Sequence, residues 1–221
     1  MKALAIDSSS MKMTVAAKND DKTVTLSLDI GMRQSEKILP SIDYVLQQAE
    51  ITPADLDYTV LCMGPGSFTG LRLGFAALKA IEMAYTVPVY GISTLEAYAY
   101  PYKKFLCTVI SVIDAKKDRF YASVYRKGIQ LLKDGDYTPD EILTTVEKDS
   151  PILVCGPDAK IFCTAAVSSD RKFLSVSSQP PVTDSLFSEA EIFISEKKPA
   201  LKDFDGPAYL RASEAEEALT K

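Results

Sequence analysis

The chain has 221 residues, 47% of them hydrophobic and 25% charged, the proportions of an ordinary globule with ample core for one large domain or two lobes. With 25 Lys and Arg against 30 Asp and Glu its net charge is −5, which repels phosphate backbones on average and argues against tight unaided RNA binding. Histidine is absent, which excludes a His-based triad and any His metal ligand.

Residues 2–7 and 12–17 read as strands, the second alternating Met13, Val15 and Ala17. No long apolar stretch precedes Asp7, so a secretory signal is not expected. Asn19-Asp20-Asp21 is a turn cluster, and residues 23–28 form a third alternating strand. A helix is predicted from Ser35, with Glu36 in its first turn and Ile38, Ile42, Val45, Leu46 and Ala49 on one face. Pro53 closes that region, and residues 58–63 form an apolar strand. A glycine-rich loop and a helix to about Tyr85 follow. A short strand at 88–90 leads to a helix with Ser93 as N-cap and Glu96 three residues on, a capping box.

The pattern then restarts. Residues 107–113 form a strand ending at Asp114, and residues 119–125 form the next. Lys127-Gly128 makes a turn before a third strand to Leu132, and Asp134-Gly135-Asp136 makes another turn. A helix at 139–147, a strand at 151–155 and helices at 158–167 and 184–197 complete the series. The order β-β-β-α-β-α thus occurs twice, with Asp7 and Asp114 closing equivalent strands. The division expected is an N-terminal lobe of residues 1–100 and a C-terminal lobe of residues 101–221, crossing near Tyr98 to Lys104. The cysteines, Cys62, Cys107, Cys155 and Cys163, form no C-x-x-C pair, and their wide spacing suits no four-cysteine metal site. Three lie in apolar β-like runs, as reduced cysteines in a cytosolic protein do.

The loop Gly64-Pro65-Gly66-Ser67-Phe68-Thr69-Gly70 fits neither common phosphate motif. A phosphate loop needs Lys-Ser/Thr after its last glycine, where Leu71-Arg72 stand, and a dinucleotide loop needs a shorter gap than that between Gly66 and Gly70. The whole string from Gly64 to Gly74 resembles the signature of the TsaB (YeaZ) family of bacteria, subunits of the machinery that makes N6-threonylcarbamoyladenosine in tRNA. Leu4-Ala5-Ile6-Asp7, Ser35-Glu36 with Leu39-Pro40, Gly91 to Leu95, Ile113-Asp114-Ala115 and Pro207-Ala208-Tyr209-Leu210-Arg211 agree in order and spacing.

The resemblance implies an α/β, two-lobed ribonuclease-H-like fold of the actin, sugar-kinase and Hsp70 (ASKHA) type, built from duplicated βββαβα lobes. It also implies a non-catalytic scaffold that binds and activates the transferase paralogue TsaD, which modifies position 37 of tRNAs reading codons that start with A. An ATPase subunit, TsaE, would join through the complex, tRNA would be met only indirectly, and the chain alone would form a homodimer in the cytoplasm. No cofactor is expected. The paralogue holds its metal through a His-x-x-x-His helix, and the corresponding segment here reads Met32-Arg33-Gln34-Ser35-Glu36-Lys37-Ile38, without histidine.

Active members of that superfamily grip phosphates on glycine-bearing hairpin turns. Here the turns read Asp7-Ser8-Ser9-Ser10-Met11 and Asp114-Ala115-Lys116-Lys117-Asp118, without glycine, so the aspartates are expected to accept turn amides rather than to catalyse. Asp7, Ser8, Ser9 and Asp114 remain the candidates for weak nucleotide contact. Ser67 or Thr69 is expected to cap the helix that follows, since no base is available to make either a nucleophile. Gly64, Gly66, Thr69 and Arg72 are read as loop structure, Arg72 and Arg211 being open to a partner contact.

The helix after the loop is apolar nearly all round and carries small residues at one-turn spacing, so a second molecule is expected on one side. The expected interface comprises Ile38, Ile42, Val45 and Leu46 on the first helix. On the second it comprises Gly70, Leu73, Gly74, Ala77 and Ile81. The alternatives are an ATP-dependent kinase or hydrolase of the same superfamily, and a glycoprotease-like peptidase. No segment is long and apolar enough to span a membrane.

Overall fold

The computed structural model describes residues 1–148, 150–166, 171–176 and 179–211. The chain forms two compact units, one of Met1–Ala97 with Pro181–Ala208, the other of Tyr98–Pro180 with the chain from Tyr209 onward.

The first unit contains β1 (Lys2–Asp7), β2 (Lys12–Asn19), β3 (Lys22–Asp29), α1 (Gln34–Gln48), β4 (Tyr58–Gly64), α2 (Phe68–Tyr85) and β5 (Val89–Ser93), with α3 (Thr94–Ala99) at its boundary. The sheet order is β3-β2-β1-β4-β5, an antiparallel meander followed by strands parallel to β1. Leu4 and Ile6 of β1 face a core built with Ile38, Ile42, Val45 and Leu46 of α1 and Phe75 and Leu78 of α2. β3 alternates, Val24, Leu26 and Leu28 lying against this core while Thr25 and Ser27 are exposed, because only one of its faces is covered.

The second unit repeats the plan with β6 (Thr108–Asp114), β7 (Phe120–Arg126), β8 (Ile129–Tyr137), α4 (Pro139–Thr144), β9 (Ile152–Cys155), α5 (Ala159–Ala165) and β10 (Phe173–Ser175), in the order β10-β9-β6-β7-β8. Its core gathers Ile110, Val112, Val124 and Phe162, the Phe162 ring meeting Phe120 and Phe173 edge-on at 5.2 and 6.1 Å.

Three expectations need correction. The division at residue 100 is not contiguous, since α6 (Val182–Ser195) returns to the first unit. In the register of that sheet Ala3 stands beside Lys18 and Tyr58, so these lie on the face opposite Leu4; Lys18 Nζ and Tyr58 Oη both bond Glu191 of α6. Without α6 that apolar face would be bare. Asp134-Gly135-Asp136 is not a turn but part of β8, where the register shifts between Ala122 and Val124. The Asp136 carboxylate is taken by Arg119 at 2.8 Å and by Arg211, and Gly135 lies under the Tyr137 ring, where a Cβ would come within 2.4 Å. The second unit also adds a fifth strand, β10, to the anticipated βββαβα series; it was not anticipated, and Val167, the expected end of α5, lies outside the described residues.

Candidate functional site

At the end of β1 the chain turns at Asp7–Met11, and this turn is closed on itself. Ser9 donates its amide and hydroxyl to Asp7 Oδ1 at 2.9 and 2.6 Å, an Asx-type turn that a buried carboxylate favours over a distant partner. Behind it, burial pushes the Cys62 thiol well above its ordinary range, and the nearby Asp7 carboxylate adds to the effect.

The glycine loop packs directly on this turn. Ser8 Oγ donates to Gly70 O at 2.8 Å, and the Ser67 amide donates to Ser9 O at 2.7 Å. A Cβ at Gly70 would lie 2.0 Å from Ser8 O, and Gly66 and Gly74 are similarly pressed by Ser9 and Ser8. The glycines therefore serve a close approach within the unit. Gly64 has φ +121° and meets Ala208 O instead, while the Ala208 amide donates to Met63 O at 2.7 Å. So the signature loop and the Pro207-Ala208 segment are one assembly, a link that sequence order hides. Ser67 is the N-cap of α2, accepting from the Gly70 amide at 3.3 Å; Thr69 is exposed, and the Arg72 guanidinium stacks 3.9 Å over the Phe68 ring. Gln34, at the start of α1, donates to Ser10 O at 2.6 Å and so ties that helix to the same turn, a contact the sequence reading missed.

The second unit builds its turn the same way. Asp114 Oδ1 accepts the Lys116 amide at 2.8 Å, and Oδ2 accepts Lys116 Nζ at 2.6 Å. Burial works to raise the Asp114 carboxyl, but the hydrogen bonds from Lys116 outweigh it and the net displacement is below the ordinary carboxylate value. The Asp114 amide donates to Asp158, at the N-terminus of α5, at 2.8 Å. Lys116, Lys117 and Asp118 all have φ between +57° and +61°, a left-handed turn without glycine. Arg211 closes its base, donating to Ala115 O at 2.8 Å and to the Asp136 carboxylate at 2.9 Å through Nε. Among the described residues no group of three His, Cys, Asp or Glu is arranged to hold a metal ion, and no helix is long and apolar enough to cross a membrane.

The expected interface needs correction. Ile38, Ile42, Val45, Leu46 and Ala77 are buried in the first unit's own core, Leu73 and Ile81 lie partly buried against it, and Gly70 and Gly74 face Ser8. A regular apolar stripe is what a helix turns toward its sheet, so these positions are already occupied. The surface left outside is made of the residues between the stripes. Leu39 and Tyr44 of α1 are 64% and 49% exposed, and Met83 of α2 is 87% exposed beside exposed Ala76, Ala80 and Ala84. The signal that could have found them is an apolar residue lying off the buried stripe.

Comparison with known proteins bears on the family and the fold. The family model for TsaD, tRNA N6-adenosine threonylcarbamoyltransferase, matches residues 31–149, more than half of the chain. The chain belongs to the TsaB (YeaZ) family. It is 27% identical to the tRNA threonylcarbamoyladenosine biosynthesis protein TsaB of Bacillus subtilis, over 98% of this chain and 96% of that one. Against the Escherichia coli K12 protein of the same name it is 30% identical, over 62% of this chain and 61% of the other. A solved structure, YeaZ from Pseudomonas aeruginosa, superposes with a TM-score of 0.75 at 22% identity, covering 95% of this chain and 99% of that one. With two such mixed sheets and their helices the fold is the two-lobed ribonuclease-H-like, actin-related type.

Proposed function

We propose that this chain is the non-catalytic subunit of the assembly that makes N6-threonylcarbamoyladenosine at position 37 of tRNA, and that it docks and activates a transferase paralogue of the TsaD type. The observation that carries the proposal is the exposure of the apolar side chains Leu39 and Tyr44 on α1 and Ala76, Ala80 and Met83 on α2. Such side chains gain by burial against another helical surface, at roughly 25 cal/mol per Å² of apolar area removed from water. A second copy would use them when the chain is alone, and the transferase would replace that copy. An ATPase subunit of the TsaE type would join through the complex.

The hairpin geometry supports the absence of phosphoryl chemistry. Ser9 O sits on the Ser67 amide, and Ser8 fills the space over Gly70 and Gly74 where a phosphate would approach α2. Chemistry thus falls to the paralogue, and this chain contributes positioning.

The test is copurification with the transferase paralogue, followed by assay of modified tRNA, using wild type and Met83→Arg. The variant should keep its fold and lose both the partner and the stimulation of tRNA modification. Retention of both by Met83→Arg and Tyr44→Asp would overturn the docking face. Calorimetry with ATP and magnesium should show feeble or no binding to the chain alone; robust turnover would restore the kinase or hydrolase alternative.

A further inference from the structure

The net charge of −5 is unevenly shared. The first unit holds 11 Lys and Arg against 17 Asp and Glu, and the second holds 14 against 13. Within the second unit, backbone contacts bring three loops to one end of the sheet. The Gly128 amide donates to Lys103 O at 2.6 Å, fixing the segment before β6 to the β7–β8 turn. Thr108 pairs with Arg126 and Ile152, and its hydroxyl lies 2.9 Å from that of Ser150, which adds the loop before β9.

These loops carry Lys103, Lys104, Lys127 and Lys148, with Arg126 at the adjoining end of β7. Glu147 is the one acidic residue among the described residues of these loops, and it pairs with Arg126 at 2.5 Å. Lys104, Lys127 and Lys148 are exposed. Next to Lys104 in the chain stand Phe105, 50% exposed and edge-on to Tyr102 at 5.9 Å, and Leu106, 79% exposed. Cations on backbone-fixed loops with a half-exposed aromatic adjoining one of them match a phosphate backbone with an unstacked base beside it.

We infer that this end of the second sheet is a contact surface for structured RNA, and, resting on the function proposed above, that the RNA is the tRNA under modification. The acidic first unit accounts for a weak contact in the isolated chain, because the whole-chain charge opposes the local one. The net charge of the whole chain averages over this separation.

The test is fluorescence anisotropy of an unmodified tRNA transcript titrated with the chain alone at about 50 to 200 mM salt. The double variant K104Q/K127Q, whose two changes are exposed and leave the fold intact, should bind about tenfold or more weakly at the low-salt end, with the salt slope reduced by about two. Phe105→Ala should weaken binding about fivefold or more and leave that slope unchanged. Equal binding by wild type and K104Q/K127Q would overturn the assignment. So would wild-type chain that sediments with phosphatidylserine vesicles and ignores tRNA, which would make the patch a membrane contact. Loss of transferase copurification in K104Q/K127Q would make it a protein interface instead. Because the titration uses the chain alone, its failure is distinct from a failure of docking through α1 and α2, which Met83→Arg reports.

Discussion

Replacing Gly70 by Ala separates two explanations of the glycine loop. An added Cβ would sit 2.0 Å from Ser8 O and 3.1 Å from Gln34 Oε1, so the Ser8 carbonyl must retreat by about 1 Å to reach any tolerated distance. That retreat strains the two bonds joining hairpin to loop, Ser8 Oγ to Gly70 O at 2.8 Å and the Ser67 amide to Ser9 O at 2.7 Å. Each is worth about 1 kcal/mol net, and forced repacking adds about 1–3 kcal/mol. Better helix propensity returns about 1 kcal/mol, leaving a destabilisation of about 3 kcal/mol. Urea unfolding followed by far-ultraviolet circular dichroism measures it, with Gly206→Ala as control because nothing lies within 4 Å of that position. The control should change stability by less than about 0.5 kcal/mol. If Gly70→Ala is as stable as wild type but impaired in association, the glycine serves a partner and the intramolecular explanation is wrong.

Thiol titration at mildly alkaline pH should label at most two of the four cysteines in the native chain, Cys107 and Cys163, and all four in urea. Cys62 is held well above its ordinary value by burial and Cys155 is pushed up to about 12 by burial, so rapid native labelling of either would contradict the described packing. The Asp114 carboxyl should titrate below 3.8 by NMR, and Lys116→Met should bring it back up. Because its folded value is the lower one, the stability it contributes is present above the unfolded value and disappears as pH falls through the folded one; a titration unmoved by Lys116→Met would refute the pairing. Arg211→Met should lower the stability of the second unit by about 2 kcal/mol through loss of charge-assisted bonds to Asp136, read as an earlier urea midpoint. An unchanged midpoint would show that the clamp contributes nothing.

The strands were legible because alternation reports a half-covered sheet, as Val24, Leu26 and Leu28 do in β3. A hydroxyl N-cap at Ser67 or Thr69 was legible too, since the residue type and its position before an apolar run are local signals, and the structure decides for Ser67. Long-range companionship was not. Nothing near Gly70 in sequence names Ser8 as its neighbour, nor near Gly64 names Ala208. Asp134-Gly135-Asp136 has turn composition, yet Arg119 and Arg211 hold Asp136 in a strand. The stripe on α1 was read correctly as apolar but assigned to a partner, because sequence records that a face is covered without recording by what. On α6, likewise, no residue says which sheet it will join.

That last helix sets the order in which the molecule can be finished. Residues 181–208 are synthesised after nearly all of the second unit, yet they belong to the first. A nascent chain therefore emerges with its earliest sheet uncovered on one side, and the later-born unit can close before the earlier one does. What is begun first at the ribosome is completed last.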